Sequence, residues 1–141
     1  MKKRHYLLIF IAAFIALMVY TGGCEFSSAS ISDGKVCTTM NGNLCSSDNP
    51  IITGNPSDIY ASCNLKYAPE STDIRFSWYY YGQSKIEIDQ VTINSGTNGS
   101  DLDVFSSLSR PDNGWPTGDY EVVIELMVEG KDPIVKKFQM Q

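Results

Sequence analysis

Histidine is all but missing from this 141-residue chain: its one copy, His5, stands among the first five residues. Without an imidazole beyond position 5, a Ser-His-Asp triad, a Cys-His dyad and the common zinc ligand sets are unreachable for the remaining chain. Cations are also scarce, 11 against 16 carboxylates, and three of them, Lys2, Lys3 and Arg4, cluster at the start. A chain shortened past that cluster would keep eight cations against sixteen acids. Such a surface repels phosphate backbones, which argues against a nucleic-acid partner. No G-x-S-x-G element occurs, and no serine has a base to activate it. These gaps speak against an enzyme, and nothing in the composition calls for a cofactor. The length suits one domain.

The longest apolar run, Tyr6–Tyr20, follows directly on the basic cluster. A positive head and an apolar middle are the first two parts of an export signal. As a helix, fifteen residues reach roughly 22 Å, short of the ~30 Å hydrocarbon core, so an uncleaved anchor is the secondary reading. Thr21-Gly22-Gly23-Cys24 comes next. Small residues leading into a cysteine resemble the lipobox of prokaryotic lipoproteins, with Thr21 at a position usually aliphatic. The resemblance covers the first 24 residues. It implies a signal peptide over 1–23, cleavage before Cys24, diacylglycerol on the Cys24 thiol, and a membrane partner reached through that lipid. The protein would then be lipid-anchored at the cell membrane or cell surface, on the extracytoplasmic side. A later cut near Ser28-Ala29-Ser30 would instead release a soluble secreted protein. Residues 24–34 are small and polar, and such composition reads as a flexible tether.

Export permits disulfides. With Cys24 lipidated, Cys37, Cys45 and Cys63 remain, and one is left over. Cys37 and Cys45 enclose a turn-rich stretch whose closure would contribute roughly 2.5 kcal/mol in the chain-entropy account. Cys37 with Cys63 is the rival pair. Three thiols at these spacings, without histidine, match no zinc pattern.

From Lys35 to Gln141 apolar residues alternate with polar ones, interrupted every eight to twelve residues by Gly, Pro, Asn or Asp. Ile59, Ala61, Cys63 and Leu65 form one inward row, and Ile74, Phe76, Trp78 and Tyr80 another. Ile86 and Ile88 alternate with Glu87 and Asp89, and Leu102–Leu108 reads as a weaker strand. Tyr120, Val122, Ile124 and Leu126 face inward before a last strand carrying Phe138 and Met140. With a first strand near Lys35–Met40, the count is seven strands and no helix, the pattern of an all-β sandwich over 35–141. Trp78 on the third strand and Tyr120 in Gly118-Asp119-Tyr120 resemble the core tryptophan and tyrosine corner of immunoglobulin-like domains. GWPTGDYEVVIEL is similar to the penultimate strand of Ig-like modules in prokaryotic surface proteins. Cys63 fits the second strand, but Val122 stands where the partner cysteine of antibody-type domains would be. Those modules share a fold and no common chemistry.

Three surface features remain. Alternation sends Tyr79, Tyr81 and Arg75 to the face opposite the core, where stiff amphipathic rings suit contact with a protein or glycan partner. Equally, tyrosine is simply favoured in strands. Asn94, Asn98, Asp101 and Asp103 crowd together and offer oxygen atoms of the kind calcium takes, in an order no EF-hand uses; turn formation explains them as well. Asp89, Glu121, Glu125 and Asp112 read as a solvated face, and Asn98-Gly99-Ser100 is a glycosylation sequon. The expectation is a lipid-anchored, non-catalytic binding or adhesion module, with a structural subunit of an envelope assembly as the alternative.

Overall fold

Alternating β-branched and aromatic residues between turn formers build ten strands in the computed structural model, which describes residues 27–97 and 101–141. The expected signal segment (1–23), Cys24 and Asn98 lie outside the described residues. Seven strands are long: β1 (Ser30–Cys37), β5 (Asp58–Lys66), β6 (Asp73–Tyr81), β7 (Lys85–Asn94), β8 (Leu102–Ser109), β9 (Gly118–Leu126) and β10 (Ile134–Met140). Three are two-residue strands: β2 (Met40–Asn41), β3 (Leu44–Cys45) and β4 (Ile51–Ile52). One sheet runs β1-β5-β8, the other β4-β10-β9-β6-β7, and β2-β3 is a separate hairpin. All pairings are antiparallel except β4 with β10.

The two sheets enclose one core, and the protein is an all-β, immunoglobulin-like sandwich. Ile59, Ala61, Cys63 and Leu65 of β5 meet Ile74, Phe76 and Trp78 of β6 and Val122 and Ile124 of β9, all fully buried. Burying each large side chain contributes roughly 1.5–3 kcal/mol, so this cluster dominates stability. Trp78 packs edge-on against Phe138 at 6.3 Å, and its Nε1 donates to Ser106 Oγ at 3.1 Å. Tyr120 stacks on Phe138 at 5.3 Å and donates its hydroxyl to the Pro116 carbonyl, 2.7 Å away, closing the tyrosine corner. Burial, with a smaller effect from Tyr80, pushes the Tyr120 hydroxyl up to about 12. Trp115 caps that end of the core, its Nε1 donating to the Pro56 carbonyl at 2.7 Å. Gly118, with φ of 135°, lets the chain enter β9 against the Tyr80 ring, where a Cβ would lie 3.3 Å from the ring.

The first strand departs from its expected limits. β1 begins at Ser30, so residues 30–34 belong to the sheet and the tether assigned to 24–34 reaches too far. Ser30, Ile31 and Ser32 pair with Lys66, Leu65 and Asn64, a register shift follows, and Lys35 resumes pairing with Ser62. Asp33 takes φ of 54° within that irregularity. A side chain at Gly34 would collide with Ile134, so this small, polar segment is packed where its composition reads as linker. Ala29, just ahead of the strand, is fully buried.

Cys37 and Cys45 form the disulfide, with Cα atoms 5.6 Å apart, and Cys63 is free and buried. The bridge fastens the β2-β3 hairpin to β1, and the Cys45 amide donates to Ser62 Oγ of β5 at 2.9 Å. Burial pushes the Cys63 thiol up to about 12, which leaves it inert near neutrality.

Candidate functional site

The outer face of the five-stranded sheet gathers the tyrosines singled out in the sequence. Strand alternation along β6 turns Arg75, Ser77, Tyr79 and Tyr81 away from the core, and β9 sets Glu125, Val123, Glu121 and Asp119 beside them in register. Tyr79, Tyr81 and Arg75 are half-buried and share this face, but none stands alone. Arg75 makes a forked contact with Glu125, through Nε at 2.9 Å and Nη2 at 2.7 Å. Lys85 of β7 places its ammonium 4.1 Å from the centre of the Tyr79 ring and 5.5 Å from that of Tyr81. The same ammonium donates to Glu121 Oε1 at 2.6 Å, while Tyr81 donates to Glu121 Oε2 at 3.0 Å.

Glu121 therefore corrects the solvated-face reading in one respect. It does point outward, yet only 5% of its surface is exposed, because Lys85, Lys137 and Tyr81 cover it. Desolvation works to raise its pKa. The hydrogen bonds from Lys85 and Tyr81 and the charges of Lys85 and Lys137 outweigh that, so the carboxyl is held below its ordinary value. Lys85 is correspondingly raised, first by its hydrogen bond to Glu121 and then by that to Tyr81. Sequence alone offered no reason to join Lys85 to this group. The signal that could have found it is positional: Gly82-Gln83 is a tight turn, so the residue opening β7 must sit across from the one closing β6, and Tyr81 pairs with Lys85.

Beside this network the sheet opens into a hollow of about 480 Å³ lined by Pro50, Ile51, Tyr81, Asp119, Lys137 and Gln139, among others. An aromatic ring, a carboxylate, an amide and an ammonium around one depression can grip a polar, ring-bearing or peptide ligand.

The other sequence candidates do not converge. Asp103 accepts a hydrogen bond from Asn64 at 2.7 Å, and Asn94 donates to Asp73 at 2.6 Å. Asn98 lies outside the described residues. Among the described residues no three acidic, cysteine or histidine side chains form a metal-binding group. Asp89, expected to point outward, is opposite the inward Trp78, because a register shift between Trp78 and Tyr79 moves this part of β7 over by one residue.

No family model matches this chain, and no curated protein matches it. Among solved structures it is similar to a Niemann-Pick type C2 protein from the Japanese carpenter ant, at 10% identity and a TM-score of 0.48, over 84% of this chain and 96% of that one. It is also similar to the Pseudomonas fluorescens alkylpurine DNA glycosylase AlkC bound to DNA, at 11% identity and a TM-score of 0.46. There the match covers 82% of this chain but spans only 31% of the glycosylase chain. At these values neither likeness bears on function.

Proposed function

We propose that the chain is an exported lipoprotein, anchored through Cys24, whose sandwich is a non-catalytic binding or adhesion module. The observation that carries this reading is the tyrosine face. Lys85 packs against the Tyr79 and Tyr81 rings, Glu121 accepts the Tyr81 hydroxyl, and Tyr81 borders an open hollow. Rigid rings lose little entropy on contact, so such a face binds without prior ordering. The Cys37–Cys45 bridge agrees with an oxidising compartment. The partner is a protein or glycan of the cell's surroundings.

The test combines two measurements on the protein from its native host. Intact mass reads the anchor: a chain starting at Cys24 with added diacylglycerol mass supports it, and a later start without lipid replaces it with a soluble secreted form. The double variant Tyr79→Ala, Tyr81→Ala reads the face. Lost partner capture by an intact monomer supports recognition, whereas dissociation of a native oligomer favours a structural subunit. Unchanged capture would reduce the tyrosines to strand formers.

A further inference from the structure

The two long edges of this sandwich are not equivalent. On one side β1 and β10 close against each other, and Gly34 of β1 lies tight against Ile134 of β10. On the other side, β8 ends the three-stranded sheet and β7 ends the five-stranded one. Among the described residues no fourth strand continues the smaller sheet past β8, so the core-side row of β7 projects without cover from them. Ile86, Ile88 and Val91 are 51%, 41% and 37% exposed in consequence. The gap deepens at both ends. Near the tyrosine corner, Tyr80, Ile88, Leu108 and Trp115 line a cavity of about 240 Å³. At the opposite end Ile74, Ile93, Leu102 and Phe105 line one of about 440 Å³.

We infer that this open side is a strand-addition site, in which an extended, cationic segment of a partner protein pairs with the β8 edge and lays alternate apolar side chains on β7. A free strand edge supplies backbone donors and acceptors, and the uncovered row supplies pockets of period two. Eight residues of β8 offer an edge of roughly 26 Å at ~3.3 Å per residue. Charge selects the occupant. Asp89 sits within the apolar row, and Asp112 follows Pro111, which lines the cavity near the tyrosine corner. The cations nearby in sequence are committed elsewhere, Lys85 to Glu121 and Arg110 to the Asn55 carbonyl. A second copy of this acidic chain would bring like charges together, whereas lysine or arginine between the apolar residues of an incoming strand would meet Asp89. This surface is separate from the tyrosine face and does not depend on the function proposed there.

The experiment is amide hydrogen exchange on the full chain in detergent, with and without a synthetic peptide of about nine residues alternating valine and lysine. Exchange of Leu102–Ser109 amides slows about tenfold or more with this peptide and is unchanged with a valine–glutamate peptide. Asp89→Lys and the pair Ile88→Glu, Val91→Glu abolish the effect, while Tyr79→Ala with Tyr81→Ala leaves it intact. Because the peptide pair reads charge selection on the unaltered protein, the outcome does not hang on variant folding. Equal protection by both peptides, or protection confined to another strand, overturns the inference. So does concentration-dependent protection of β8 without peptide, which would assign the edge to a second copy. Protection by palmitate in place of peptide would assign the gap to an acyl chain and overturn it equally.

Discussion

β5 and β7 carry the same kind of sequence and meet opposite fates. Both alternate aliphatic and polar residues over nine or ten positions. β5 is central in its sheet, with Ile59, Ala61, Cys63 and Leu65 sealed in the core. Its other face is covered as well, where the disulfide-held hairpin lies over Ser62. β7 is an edge strand with no fully buried residue. Alternation fixes that successive side chains take opposite faces. It does not fix whether anything lies across from either face, and that is what separates a core strand from an exposed edge strand.

The largest expected effect contrasts these strands directly. Ile59→Ala opens a cavity among fixed neighbours and costs about 2–5 kcal/mol, whereas Ile88→Ala stays within about 0.5 kcal/mol. Urea denaturation of both variants measures it, and a large loss at Ile88 would mean that β7 is covered in solution. The hairpin that seals β5 gives the next effect. Replacing Cys37 and Cys45 together by serine lowers stability by roughly 2.5 kcal/mol, with the loosening centred on residues 37–45. Hydrogen exchange locates that loosening; a uniform drop across the sandwich would show that the bridge braces the whole fold.

The smallest effect concerns the ion pair that ties β7 to β9, Lys85 with Glu121. Glu121 is depressed in the folded state, so its contribution is complete above the ordinary glutamate range and is lost as pH falls through the depressed value. Glu121→Gln therefore differs from the parent at neutral pH, and the two stability curves converge in acid. Parallel curves between about pH 7 and pH 3 would show that the pair adds nothing.

Much of the sandwich is legible from the chain alone. Trp78, Tyr120 and the inward rows of β5, β6 and β9 follow from period-two patterning between turn formers, because a half-buried strand must alternate. The short, turn-rich loop favours Cys37–Cys45, and the structure decides against the rival pairing by leaving Cys63 free and buried. The shared face of Tyr79, Tyr81 and Arg75 is also a matter of parity along one strand. Other features needed partners distant in sequence. Residues 30–34 join β1 because a register shift and a glycine beneath Ile134 let a polar segment pack, and composition carries no trace of either. Glu121 is buried by cations from β7 and β10, some 36 and 16 residues away. The displacement of Asp89 to the core side arises from a bulge that no local pattern announces. Sequence determined which residues could face inward, since parity is a local property of the backbone. Only the tertiary structure decided which of those faces were covered, since cover depends on how many strands each sheet holds and where its edge falls.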